Sequence, residues 1–441
     1  MDSKLRRWIM LLSASFLLAC ANEPLATNHG DVAGLKAGEN RHTVVVDALA
    51  NGNGIASTIQ EGIDMVAEGG RVKVKPGTYD ERVVINKGLT LEGSDLEAGP
   101  AVIFQRRSAT TGSAPATQGV IQIETTEPVA IRDLTVHQDN IRGINALFRA
   151  VDLTVERVSF EGVSDVSPIV GNGVTVTHNA TASGIRARLV VNESRFSVGG
   201  VGLAIGGDVD ASVIGNHVQH VMSRSLCINI NPTGQGAGAT VPAGTATNVE
   251  VRDNLFENCG TDAIRFPGRG FNAIAVQGAP GATTTGSITI ANNIFRTTPA
   301  VPGAPDACPS GAILFEHYSG LIEQNSIINV VPTCAVTGPR NSPGAIYVGS
   351  RVSGIRAAGP VQVRFNDIAG NAFAGLRIGS NQPASIDATC NWWGHQTGPS
   401  GAGSGSGDAV RVEAGGAVPS YTPWASAPIA ASAETGCAGG V

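Results

Sequence analysis

The chain has 441 residues, a formal net charge of −6, 57 glycines, and only 15% charged and 5% aromatic residues. Helical bundles carry more Leu, Glu and Lys, so this mix favours many short strands joined by tight turns, and the steady recurrence of Val and Ile excludes a disordered chain. No basic stripe is present to hold a nucleic acid, and the length suits either two or three domains or one elongated repeat fold.

Residues 1–19 read as a targeting segment. Lys4, Arg6 and Arg7 precede an apolar run from Trp8 to Ala19 that is too short for a comfortable membrane span. The run ends in Leu17-Leu18-Ala19-Cys20, which resembles a bacterial lipobox. That resemblance implies cleavage before Cys20, lipidation of its thiol and a place in the cell envelope. Ala21 rather than Asp at the next position points to the outer membrane. Residues 20–42 are polar and aperiodic and read as a flexible tether. Seven cysteines less Cys20 leave an even number in an exported chain with no C-x-x-C pair, which favours disulfides over a metal site.

Residues 43–100 form the expected N-terminal cap and first coils. Val44–Val46 is a strand, and Ser57 with Gln60 three residues on reads as a capping box. Ile59, Ile63 and Val66 then share a helix face that Gly69-Gly70 ends. Alternation at Val72 and Val74, a Pro76-Gly77 turn, and Val83, Ile85, Leu89 and Leu91 mark further strands. One short helix before a long run of strands suits a cap over the open end of a sheet stack.

From about residue 130 a motif recurs: apolar, two variable, a polar residue that is usually Asn, one variable, apolar. It reads VIGNHV ending at Val218, VRDNLF at Phe256, IANNIF at Phe295, IEQNSI at Ile327 and VRFNDI at Ile368, with looser copies ending at Val136, Phe160 and Phe196. The unequal spacing means constant rungs with loops of varied length, so each repeat is one coil of a solenoid stacked about 4.8 Å from the next. Asn216, Asn254, Asn293, Asn325 and Asn366 are expected to form an internal ladder at one corner. ATCNWW is the last copy, with Asn391 on the ladder, Trp393 as the final inward plug, and Trp392 beside it as an alternative sugar platform. The solenoid then spans 101–393, and 394–441 is a closing cap and tail. The expected disulfides are Cys308–Cys334 in loops at one corner of successive coils, Cys390–Cys437 at the closing end, and Cys227–Cys259.

VKVKPGTYDERVVINKGLTLEGS resembles the entry segment of pectinesterase-like proteins, and CNWWGHQTGPSG followed by GDAV and YTPW resembles the closing segment of exported bacterial β-helix proteins. Over roughly residues 43–441 the chain is similar to the right-handed parallel β-helix, or pectin-lyase-like, superfamily. The resemblance implies an all-β, single-stranded right-handed parallel β-helix with an N-terminal capping helix. It does not choose an activity, because lyases, esterases, hydrolases, epimerases and adhesins share this fold.

The superfamily's catalytic patterns are not met. RFPGR, Arg265 to Arg269, is one residue short of the R-x-P-x-x-R of pectate lyases, and the paired-Asp and esterase patterns are missing. No cofactor is implied. No dense carboxylate cluster builds a calcium site, although dispersed Asp residues leave room for an assembled one. Aligning the second strand of each repeat (DAIRF, GAILF, GAIYV, AGLRI) puts Arg265, Leu314, Tyr347 and Arg377 at one outward position. Arg269, Tyr318, Arg351 and Asn381 follow four residues on, with Glu316 and His317 between. This basic and aromatic strip suits an acidic polysaccharide, guanidinium forks holding carboxylates and tyrosines covering sugar faces. Arg269, Tyr347, Arg351, Arg377 and Glu316 are the expected binding residues. The preferred reading is a lipid-anchored protein that binds a polysaccharide or other surface partner without chemistry. The alternative is a polysaccharide lyase in which Arg265 or Arg351 neutralises the uronate carboxylate and His317 or Tyr318 moves the proton. Replacing Cys20 by Ser should release soluble or unprocessed protein, whereas unchanged membrane retention and processing would argue against a lipid anchor.

Overall fold

The computed structural model describes residues 41–49, 55–106, 118–147, 149–162, 171–178, 185–219, 226–231, 245–259, 272–278, 285–296, 311–330, 344–349, 358–371, 373–382, 386–429 and 437. Among these, the strands form three sheets of eleven, twelve and ten strands, and every strand pairing is parallel. A coil visits the sheets in turn. Asp152–Glu156 lies in the eleven-stranded sheet, Ser159–Glu161 in the ten-stranded sheet and Val174–His178 in the twelve-stranded sheet. The chain then returns as Ala187–Asn192 beside its starting strand, in exact register from Asp152↔Arg188 to Glu156↔Asn192. This is the right-handed parallel β-helix, with the hand that parallel crossovers adopt.

Alternation decides what faces in. The last residue of each motif copy packs on the same residue of the next coil. Val136, Phe160, Phe196, Val218, Phe256, Phe295, Ile327 and Ile368 form one buried column. Phe160 stacks on Phe196 at 4.7 Å and Phe256 on Phe295 at 5.0 Å between ring centroids.

The corner between the eleven- and ten-stranded sheets turns on one left-handed residue per coil. Asp133, Arg157, Glu193, Gly215, Asp253, Asn292, Gln324, Phe365 and Cys390 all have φ between 48° and 68°. The residue that follows carries the ladder. Each Asn Oδ1 accepts the backbone N–H and the Nδ2–H of the preceding Asn, from Asn216 through Asn254, Asn293, Asn325 and Asn366 to Asn391, at 2.8–3.0 Å. The other Nδ2 hydrogen goes to a carbonyl of the coil before, as Asn293 does to Val251 at 2.9 Å. Ser194 begins the polar run, donating its N–H to Asn216 Oδ1. In the earlier copies the same position holds Leu134 and Val158, so the ladder there is apolar. All five expected ladder residues are buried and occupy it.

The two ends differ. The helix Ile59–Met65 buries Ile59, Gly62 and Ile63. Its N-cap is Thr58 rather than Ser57, with Thr58 Oγ1 accepting from Glu61 N at 3.1 Å and Glu61 reaching back to Ser57. It ends at Met65, four residues before the glycine pair, because Val66–Val74 is claimed by the eleven-stranded sheet. Gln60 instead donates to Val84 O and accepts from Val84 N, which pairs the open edge of the last strand of the twelve-stranded sheet.

At the other end Trp393 is 0% exposed and fills the core column beyond Ile368, while Trp392 is half-buried. Ser420–Ala425 then lies along the last coil, with Ala388 N bonding Ser420 O and Ala425 N bonding Asn391 O. Cys390–Cys437 ties the tail there, and Cys227–Cys259 joins successive coils farther back. Cys308, Cys334 and Cys20 lie outside the described residues. The Trp393 indole N–H is buried without an acceptor among the described residues, so its contribution is volume alone. Trp393→Ala should cost roughly 3–5 kcal/mol in denaturant unfolding. Trp393→Phe, which also removes the unsatisfied donor, should cost much less, and equal losses would contradict the plug.

Candidate functional site

The outward face of the twelve-stranded sheet carries the row that strand alignment singled out. Leu314 pairs with Tyr347, Tyr347 with Arg377, and Arg377 with Arg411. In the coil before, the strand paired with Gly311–Phe315 is Asn272–Val276, and Ala275 stands beside Leu314. The position assigned to Arg265 is therefore Ala275, because NAIAV supplies the apolar alternation that DAIRF was expected to supply. Arg265 itself, Arg269 and Arg351 lie outside the described residues.

Along this row the environment changes from dry to wet. Ala275, Leu314 and Tyr347 are shielded and cluster with Val201 and Leu226, outside the main core. Tyr347 is thus a packed side chain rather than an open sugar platform. Arg377 is partly exposed and Arg411 is exposed.

The second column does not form. After Phe315 the backbone of His317 turns left-handed at φ 69°, which breaks the alternation and sends Tyr318 inward. Tyr318 is 2% exposed, and its hydroxyl lies 3.2 Å from Thr247 Oγ1. Burial raises its pKa well above the usual phenol range. His317 is 2% exposed with its ring edge-on to Tyr318 at 4.9 Å, and Glu316 is buried with Oε2 accepting from Gly278 N at 3.1 Å. None of the three faces solvent. The proton-transfer roles assigned to His317 and Tyr318 and the binding role of Glu316 are therefore corrected to packing roles.

What the fold does assemble lies at the closing end. Phe373, 37% exposed, stands just before the strand Leu376–Ile378. The Arg411 guanidinium carbon sits 4.2 Å from the centroid of its ring and that of Arg377 5.5 Å away. Arg377 also lies 5.9 Å from the Tyr347 ring and pairs with Glu413 at 2.8 Å. Arg411 has no carboxylate partner among the described residues. Stacking on an aromatic face leaves the edge of a guanidinium, with its N–H donors, pointing outward.

Beside this patch is a pocket of about 410 Å³, lined by residues that include Asn371, Phe373, Ser400, Ser406, Asp408 and Arg411. Asp408 is held fast. Its Oδ1 accepts from Gly370 N at 3.0 Å, and its Oδ2 accepts from Asn371 N and Nδ2 at 2.9 Å. Burial raises its pKa despite these donors.

Alignment could have found Arg411, since Val410-Arg411-Val412 repeats the apolar–Arg–apolar pattern of Leu376-Arg377-Ile378. Phe373 carried no such signal, because it belongs to no strand repeat. Among the described residues no group of three or more His, Cys, Asp or Glu side chains is placed to hold a metal ion, and no helix is long and apolar enough to cross a membrane.

No family model and no curated protein matches the chain. Solved structures similar to it include an alginate lyase from Paenibacillus sp. (TM-score 0.33, 10% identity, covering 86% of this chain and 98% of that one). Others are the A-module of a mannuronan C-5 epimerase from Azotobacter vinelandii (0.38, 12%, 80% and 91%) and the catalytic unit of an α-1,3-glucanase from Streptomyces thermodiastaticus (0.33, 14%, 88% and 70%). Likeness this distant carries no argument about activity. Tyr318→Phe should therefore lose only the contact with Thr247, about 1 kcal/mol of stability, and leave glycan binding unchanged; loss of binding would restore Tyr318 to the site.

Proposed function

We propose that this parallel β-helix of pectin-lyase-like architecture is a lipid-anchored envelope protein that binds an acidic polysaccharide through Arg377, Phe373 and Arg411 and does not cleave it. The observation that carries the reading is Arg411, an exposed guanidinium stacked 4.2 Å from an exposed phenyl ring with no carboxylate partner among the described residues. A ring beside a cationic fork meets both needs of a uronate. The guanidinium over the ring keeps its outer N–H edge free to take the carboxylate in two parallel hydrogen bonds, and the exposed edge of the ring offers apolar contact to sugar C–H groups. Arg377 adds positive potential, although Glu413 already engages it.

Binding rather than catalysis is favoured because β-elimination needs a base within reach of the acidic proton. Among the described residues the one carboxylate that lines the pocket is Asp408, and its oxygens accept three N–H groups of Gly370 and Asn371. Anchoring rests on the lipobox-like Leu17-Leu18-Ala19-Cys20 and its outer-membrane placement on Ala21; stable retention takes the several acyl chains of a bacterial lipoprotein.

Retention of the protein on an immobilised polyuronate, with a neutral glucan as control, tests the reading. Binding should weaken with added salt, because exposed charges are screened over about 8 Å at physiological ionic strength. Arg411→Ala should lower affinity roughly tenfold or more, about the worth of one charge-assisted hydrogen bond. Equal binding to the neutral glucan, or indifference to salt, would sink the proposal.

A further inference from the structure

We infer that Glu413 sets the specificity of the site: by holding Arg377 it leaves one guanidinium open instead of two, and so favours polymers whose uronates are separated by neutral sugars over polymers charged at every residue. This rests on the polysaccharide-binding reading and deepens it by naming the substrate class. Arg377 and Arg411 are partners on neighbouring strands, so they leave the same side of the sheet about 4.8 Å apart at the backbone. Their guanidinium carbons lie 5.5 and 4.2 Å from the centroid of the Phe373 ring. A ligand segment that reaches the ring therefore meets both cations.

The two cations differ in what they already hold. Glu413 Oε1 lies 2.8 Å from Arg377 Nη2, and Glu413 Oε2 accepts from Ser380 N at 3.0 Å. Both oxygens of the carboxylate are in use, one on the cation and one on the backbone. The residue is fixed as well, since Glu413 N bonds Ile378 O and Gly416 N bonds Glu413 O, both at 2.9 Å. Arg411 is exposed and has no carboxylate partner among the described residues.

A ligand carboxylate that arrives at Arg377 meets Glu413 on the same guanidinium, and like charges that share one site repel. The side chains of Arg377 and Glu413 are only 20% and 26% exposed, and a partly buried pair is screened less than an open one. Without Glu413 the two arginines would form a doubly charged patch open to any densely charged polyanion. With it, a uronate at Arg411 gains a full fork, whereas the sugar beside Arg377 gains nothing from being charged. A neutral sugar there keeps the guanidinium N–H groups that Glu413 does not use as donors to its hydroxyls.

The experiment measures affinity of the full chain, as wild type and as Glu413→Gln, for a polyuronate and for a polymer that alternates uronate with a neutral sugar, over a range of salt. The amide of Gln still has an oxygen to accept from Ser380 N, and thermal unfolding read alongside checks that the fold is kept. Glu413→Gln should raise affinity for the polyuronate about threefold to fivefold relative to the alternating polymer, the scale of one exposed charge pair. The salt dependence of polyuronate binding should steepen by roughly one ion. Adding Arg377→Ala to Glu413→Gln should abolish the gain, because the gain needs the freed guanidinium. An equal gain on both polymers, or no gain on either, would overturn the role of Glu413 while leaving acidic-polysaccharide binding intact. Retention of neither wild type nor variant on either polymer would overturn both readings together.

Discussion

A side-chain amide that is buried at the same corner of six successive coils has nowhere to turn for hydrogen bonds except to its counterparts above and below and the backbone around them. Asn293 shows the whole arrangement. Its Oδ1 accepts two N–H groups of Asn254, its own N–H and one Nδ2 hydrogen go to Asn325, and the other goes to Val251 O. An unmade bond at such a site costs about 1–3 kcal/mol, so the amides enforce coil spacing and strand register together. Once that register holds, the loops between rungs are free to differ in length, and the phenylalanine column stacks without further instruction.

A repeating stack ends in unpaired edges and an uncovered core, and the closing end meets both problems with local substitutes. Trp393 occupies the place that the core residue of a further coil would take. Asp408 does the same for a second, shorter ladder. Asn371 accepts Val330 N, donates Nδ2 to Ile327 O, and passes its remaining donors to Asp408 Oδ2 in the pattern of the main ladder. The carboxylate there is a surrogate for the amide of the next coil, and its burial follows from that duty. The tail at Ser420–Ala425 and the Cys390–Cys437 bridge complete the closure.

The candidate site is a by-product of that ending. Along the outward row of the twelve-stranded sheet, side chains are shielded at Ala275, Leu314 and Tyr347 and emerge only at Arg377 and Arg411. The closing turn rises against the last of them. Cation, ring and pocket therefore coincide where the solenoid stops, and the chemistry of the site depends on the same residues that finish the fold.

Much of this was legible in the sequence because the determinants are local and repeated. The Asn ladder, the inward last residue of each copy, the buried Trp393 and the row Leu314–Tyr347–Arg377 all follow from a period of two within strands and a constant motif between them. What the tertiary structure decided involves residues where that periodicity breaks. A single left-handed backbone at His317 turned Tyr318 from a surface acid into core packing. The strand that pairs with Gly311–Phe315 is NAIAV, so Ala275 stands where Arg265 was expected. Exposure was also beyond pattern. Tyr347 and Arg411 hold the same register position, yet one is shielded by neighbouring chain and the other is open. Alternation specifies which way a side chain points from its strand, but whether anything lies over it depends on chain segments that the repeat does not encode.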